Sequence, residues 1–161
     1  MAREYTVTSG AAVLANQAVT LVWISPPSNA SIEILKCWIG QVGSQSSQQI
    51  RVQLGTQVSA YPTLASTNPR AIKVSDPVSK LSGLVSGISG TGTNASTEGA
   101  GTKTVLVDDV FNNLTGYLWY PTGPYDSFLL NGTLSAGFFM HLPSAASNLS
   151  GYSFGVTYRE L

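Results

Sequence analysis

The chain has 161 residues, the length of one ordinary domain. Eight Lys and Arg balance eight Asp and Glu, so the net charge is zero, and charged residues make up 10% of the chain against about 25% in an average domain. Nucleic acids and acidic membrane surfaces are bound by clustered cations, whereas these eight are scattered, so we expect neither partner. The 43% of apolar residues argues against an unfolded chain.

Neutral polar residues take the place of the missing charges. The chain holds 21 Ser, 15 Thr and 16 Gly. A surface with so few charges lacks the electrostatic repulsion that keeps proteins apart. The composition therefore favours a protein that is packed against something else.

Signals for export, membranes and disulfides are weak. The N-terminus has no apolar leader, and the apolar stretch 11–24 is interrupted by polar residues and too short to span a bilayer. Cys37 is the single cysteine, which predicts a small buried side chain and no disulfide framework. Five Asn-x-Ser/Thr triplets are interpreted as turn chemistry. They begin at Asn29, Asn94, Asn113, Asn131 and Asn148.

Alternation of apolar and polar residues with period two dominates the chain and predicts strands. Nine strands are expected, at 4–8, 19–24, 31–39, 49–54, 104–107, 116–120, 127–130, 134–142 and 152–159. Short strands separated by regular turns are typical of a sandwich or a jelly roll. We therefore predict one all-β domain over residues 1–161, a jelly-roll-like β-sandwich of about eight or nine antiparallel strands.

The segment 57–103 departs from this pattern because it is rich in Ser, Gly, Thr and Pro. It is predicted to be one long loop insertion, with a mobile surface loop over 87–101. Part of it has helical features, since Asp76 suits an N-cap and Pro77 a first helical residue. The apolar residues that recur there at helical spacing are Val78, Leu81, Val85 and Ile88.

Candidates for catalysis and metal binding are few. His141 is the only histidine and lies in an apolar strand, and no Gly-x-Ser-x-Gly elbow is present. Asp108 and Asp109 are adjacent, so in a strand they point to opposite faces, and we expect a strand end facing water. The sequence therefore predicts a protein that is not an enzyme, with no cofactor and no metal.

The stretch 117–125 is the richest in aromatic residues. In a strand, Tyr117 and Trp119 share one face while Leu118 and Tyr120 share the other, and one face must belong to the core. Aromatic rings beside a turn can stack on sugars or anchor a protein interface. The candidate contact residues for an interface or a glycan are Trp119, Tyr120 and Tyr125.

Five segments, taken in order, carry a resemblance of layout and strand order over most of the chain: 3–8, 32–41, 49–54, 117–123 and 152–161. Together they resemble the small jelly-roll head decoration, or cement, proteins of tailed phages. The resemblance implies a structural virion protein on the outer capsid surface, a homotrimer bound across capsomers to the major capsid protein. It brings no catalytic residues.

Two other functions fit the same residues. One is a carbohydrate-binding or host-attachment module that uses the aromatic stretch as a stacking platform. The other is a self-assembling filament or surface-layer subunit, which the low charge and open strand edges also favour.

Overall fold

The protein is described by a computed structural model that covers residues 2–43, 46–84, 89–123, 126–134 and 136–161. Within these ranges the chain forms twelve β-strands and a single 3₁₀ turn at Gly132–Leu134. The strands are β1 Arg3–Thr8, β2 Val19–Ser25, β3 Ser31–Gln41, β4 Gln49–Val58, β5 Thr63–Ser66, β6 Arg70–Ala71, β7 Gly90–Thr97, β8 Thr102–Asn112, β9 Tyr117–Trp119, β10 Phe128–Asn131, β11 Ala136–Leu142 and β12 Tyr152–Glu160.

The strands form two antiparallel sheets, and the predicted all-β sandwich is confirmed. Sheet A has the order β10-β3-β12-β1-β6, with β9 also paired to β3. Sheet B has the order β5-β7-β2-β11-β4-β8. Strands β6, β9 and β10 therefore lie at the edges of sheet A, and β5 and β8 at the edges of sheet B.

The strands pair in a nested order, beginning with the two ends of the chain. The first strand pairs with the last, β1 with β12, and the second with the last but one, β2 with β11. Strand β3 then pairs with β10, and β4 with β8. Successive pairs lie alternately in sheet A and in sheet B, so the paired strands wind around the core.

All nine predicted strands are present, and the structure adds three more within 57–103. The prediction of a surface loop over 87–101 is wrong for residues 90–97, which form the largely buried strand β7. A Cβ atom at Gly92 would lie 2.8 Å from Leu64 and 2.8 Å from Leu84, so only glycine lets these side chains pack there. The glycines that resemble a flexible linker in the sequence thus permit close packing.

The helix expected after Asp76 is also wrong in its described part, residues 76–84. A helix would use the backbone N–H of Lys80 within the chain's own turn, but here it donates to the Glu160 carboxylate at 2.8 Å. The backbone N–H of Leu81 donates to the Ser79 hydroxyl at 3.0 Å. Side chains take the backbone donors that a helix needs, so the segment 72–84, called the strap below, is not helical. Val85 and Ile88 lie outside the described residues.

The core lies between the sheets and follows the predicted alternation. On β4, the side chains of Ile50, Val52 and Leu54 are buried, while Gln49 and Arg51 are exposed. Cys37 is fully buried, as predicted, and burial raises the pKa of its thiol well above the usual range. The alternating apolar residues therefore face one shared interior.

Candidate interaction surface

A cleft of about 480 Å³ opens at one side of the sandwich. It lies where strand β8, at the edge of sheet B, faces strands β9 and β10, at the edge of sheet A. The two sheets do not meet there, so apolar side chains reach the surface. The cleft is lined mainly by Leu106, Val107, Trp119, Tyr120, Asp126 and Phe128.

Trp119 of β9 and Phe128 of β10 form the aromatic wall of this cleft. Tyr117 and Trp119 share one face of β9, as predicted, and that face is turned to the core. Tyr117 is buried, and the half-buried Trp119 ring packs 5.1 Å from the Phe128 ring, centroid to centroid. Their packing fixes the shape of the wall.

The other two candidate contact residues are Tyr120 and Tyr125, and neither of them belongs to the packed wall. The Tyr120 side chain is 59% exposed at the mouth of the cleft. Asp126 closes the following turn, since its carboxylate accepts a hydrogen bond from the Thr122 hydroxyl at 2.8 Å. Tyr125 lies outside the described residues. The structure thus brings Trp119 and Tyr120 to one cleft.

Strand β8 forms the other wall and contains a β-bulge. Leu54 of β4 lies opposite Val107, while the next residue, Gly55, lies opposite Val105. Leu106 is therefore the extra residue, and its side chain is 60% exposed at the cleft. A bulge on an edge strand redirects side chains and interrupts regular pairing. Sequence reasoning missed Leu106 because nothing in the alternation marks the bulge.

Two carboxylates lie farther along β8, and both are exposed, as predicted for Asp108 and Asp109. Arg51 donates from Nε to Asp108 at 2.7 Å, and this hydrogen bond holds the pKa of Asp108 below its ordinary value. Asp109 accepts the N–H of Val110 at 2.7 Å, and no ion pair involves it in the described ranges. The strand continues to Asn112, so the two lie within it rather than at its end.

A second group of polar side chains lies on the face of sheet B that points away from the core. The Glu98 carboxylate accepts a hydrogen bond from the Thr20 hydroxyl at 2.8 Å and pairs with Lys103 at 2.5 Å. His141 Nδ1 lies 3.6 Å from the same carboxylate and 3.4 Å from the Thr20 hydroxyl. This cluster could not be predicted from the sequence, because its members come from four separate segments.

The cluster holds its histidine uncharged. Burial and the Lys103 cation lower the pKa of His141 to about 4, although Glu98 opposes the shift. The imidazole is only 6% exposed. The predicted assignment of His141 as a strand histidine agrees with this placement, and its geometry is that of a buried structural group.

Asparagine side chains organise several turns. Asn131 accepts hydrogen bonds from the N–H and hydroxyl of Thr133, both at 3.0 Å, and Asn148 does the same for Ser150. Asn113 is buried and accepts the N–H of Gln48 at 2.7 Å. The interpretation of the triplets as turn chemistry is confirmed at Asn131 and Asn148, whereas the Asn113 side chain joins distant segments and the triplet at Asn94 lies within strand β7.

Within the described part of the chain, no group of three or more His, Cys, Asp and Glu is placed to hold a metal ion. None of the helical structure described there is long and apolar enough to cross a membrane. The comparisons found no protein-family model, no curated protein and no solved structure that matches this chain.

Proposed function

We propose that this chain is a structural virion protein, a capsid decoration protein that stabilises a phage head by binding across capsomers as a homotrimer on the outer surface. The observation that carries the proposal is the strand pairing. Strands β1, β2, β3 and β4 pair in turn with β12, β11, β10 and β8. This pairing of eight strands across two sheets supports a jelly-roll topology, the fold that the resemblance to cement proteins implies.

The surface supports the same proposal. The cleft between β8 and β9 exposes Leu106 and Tyr120, and the outer side of β9 exposes Leu118 to 61%. Exposed apolar residues beside a free strand edge are typical of protein interfaces. A cement protein needs such contacts, and many weakly bound copies hold a lattice together by avidity. The major capsid protein is the proposed partner.

Under this proposal a major capsid protein is encoded in the same genome, and the test uses purified shells assembled from it. We expect the protein to sediment with the shells and to raise the temperature at which they disassemble. A Leu118→Asp variant, changed at an exposed position, is expected to bind more weakly. Shells that neither bind the protein nor gain thermal stability would contradict the proposal.

A carbohydrate-binding function is the second candidate, because the cleft combines aromatic and polar groups. Tyr120 stands exposed beside Trp119, and Asp126 supplies a carboxylate that can accept hydrogen bonds from sugar hydroxyls. A glycan array probed with the wild type and with Tyr120→Ala tests it. Binding that disappears in the variant would support this function, and an array without signal would exclude it for the glycans displayed.

A further inference from the structure

The strap that follows β6 carries aliphatic side chains into solvent. Val74 and Val78 are 101% and 89% exposed, and Ile72 is 50% exposed. Three branched aliphatic residues within seven positions are costly to leave in water. We call Val74 and Val78 together the strap knob.

Hydrogen bonds anchor the strap to β1 and β12, although the side chains of the strap knob are exposed. The Ser79 hydroxyl donates to the buried Glu160 carboxylate and lies 2.6 Å from the Tyr158 hydroxyl. The Tyr5 hydroxyl donates to the Pro77 carbonyl at 3.1 Å. These anchors tie residues 77–79 to β1 and β12, and the backbone bonds from Ile72 N–H to the Glu4 carbonyl at 3.0 Å and from Asp76 N–H to the Lys73 carbonyl at 2.9 Å bracket Val74. An ordered apolar knob binds with less entropic cost than a flexible one.

The knob and the cleft lie at opposite sides of the sandwich. Strand β6, which leads into the strap, is one edge of sheet A, and β10 beside the cleft is the other. The cleft volume of about 480 Å³ can take aliphatic side chains between Leu106 and Trp119. A protrusion on one side and an apolar cleft on the other is the geometry of a head-to-tail contact between identical chains.

The charges around the two surfaces are complementary. The segment 70–80 contains Arg70, Lys73 and Lys80 against the single acid Asp76, and none of these four takes part in an ion pair in the described residues. This is a local excess of two positive charges in a chain of zero net charge.

The cleft carries the opposite sign. Asp126 lines it, and Asp109 lies two residues beyond Val107 on the same face of β8. Because the described residues place neither carboxylate in an ion pair, both can face the cations of a docked strap. Complementary charges of this kind orient a contact and exclude wrong registers.

We propose that the strap knob of one copy docks in the β8–β9 cleft of the next, and that these head-to-tail contacts close into a ring. The inference deepens the proposed function, since it rests on the homotrimer stated there and names the two surfaces that join it. A heterologous contact needs rotational closure to end in a ring rather than a fibre.

Native mass spectrometry and sedimentation velocity over a concentration series test the contact. The wild type is expected as a closed ring. A knob variant, Val74→Asp with Val78→Asp, and a cleft variant, Leu106→Asp, are each expected to fall to a single chain of about 16.9 kDa. All three substitutions lie at exposed positions, so circular dichroism should show that the variants fold. The matched control is Val13→Asp, an exposed valine (67%) outside both surfaces, which should leave the ring intact.

Mixing the two variants gives the sharpest readout. The intact knob of the cleft variant can dock in the intact cleft of the knob variant, so a pair with one chain of each should form and grow no further. A wild type that stays monomeric, stops at two chains or forms open fibres would overturn the inference, as would variants that still form rings. Shell binding is measured separately, so a monomer that binds capsids would leave capsid decoration standing while excluding both the homotrimer and this contact.

Discussion

Both faces of sheet B bury side chains, the outer face only around β2 and β11, and different residues and different forces cover the two faces. The inner face packs Leu54 and Met140 against sheet A in a continuous apolar core. On the outer face, the Trp23 ring packs against Tyr61 with centroids 4.7 Å apart, and the Lys103 ammonium lies 5.8 Å from the Phe139 ring. Dispersion and the removal of apolar surface from water stabilise the inner face, whereas the outer one also depends on hydrogen bonds and charge.

The outer face is covered by parts of the segment that the sequence assigns to a loop. The Ala60 carbonyl accepts hydrogen bonds from Gly101 N–H and from the Gln57 side chain, both at 3.1 Å. Glu98 then ties this cover to β2 and β11 through Thr20 and His141. A sandwich needs only one buried face on each sheet, so this second layer is additional, and it should respond to pH and to small steric changes where the core does not.

The largest expected effect is on the inner face. Phe138→Ala removes a fully buried ring that packs 5.0 Å from Phe128, and the cavity should cost about 3–5 kcal/mol of unfolding free energy. Urea unfolding followed by circular dichroism measures it. Leu129→Ala, at a position that is 67% exposed, is the control and should change stability by no more than about 0.5 kcal/mol. Equal losses in the two variants would mean that this core is not where stability resides.

Acid should weaken the outer face selectively. The pKa of His141 is about 4 in the folded chain against an ordinary 6.5, so between these values the unfolded chain binds more protons. This contribution to stability is therefore complete above about pH 6.5 and is lost as the pH falls towards 4, by about 3 kcal/mol at most.

The measurement compares urea unfolding at several pH values for the wild type and His141→Gln. Carboxylates elsewhere contribute to both curves, so the difference between the curves isolates the histidine. We expect the variant to lose less stability than the wild type from neutral to acid pH. Parallel curves would show that His141 does not titrate as its surroundings of Lys103, Glu98 and Thr20 indicate.

Replacing either of two glycines by alanine should have a smaller effect on stability, and the effect should differ between the two positions. A Cβ atom at Gly99 would lie 1.8 Å from the Ala60 carbonyl oxygen, whereas at Gly40 the nearest atom is 3.9 Å away. Gly99→Ala should therefore push the cover off the outer face at a cost of about 1–3 kcal/mol, seen as a lower Tm. Gly40→Ala is the matched control and should leave the Tm nearly unchanged. A tolerated Gly99→Ala would show that the cover adapts.

The smallest effect is expected from the exposed ion pair of Arg51 and Asp108. The two side chains are 55% and 39% exposed, and water strongly screens the attraction between such exposed charges. Arg51→Ala should leave the Tm within experimental error in a thermal melt at physiological salt. A clear loss would mean that the outer surface of β4 and β8 is more closely coupled than its exposure indicates.

Part of the candidate site could be predicted from the sequence. The aromatic stretch identified Trp119 and Tyr120, and alternation assigned Tyr117 and Trp119 to one face of a strand. Leu106 could not be found, because the bulge arises from the register against β4. The strap knob could not be predicted either, since Val78 and Leu81 have helical spacing, and it is the contacts of the strap with Glu160 and Ser79 that take the backbone donors of a helix.

The sequence by itself determined the nine strands, the sandwich and the apolar core, because period-two alternation is a local property that any strand with one buried face must have. Tertiary structure alone decided that residues 90–97 form a strand, that the strap is not a helix, and that Glu98, Lys103 and His141 meet. Each of these depends on neighbours far away in the chain: Leu64 and Leu84 crowd Gly92, and Glu160 takes the donors of the strap. Local patterns carry no record of such long-range packing, which is the physical reason that they could not reveal it.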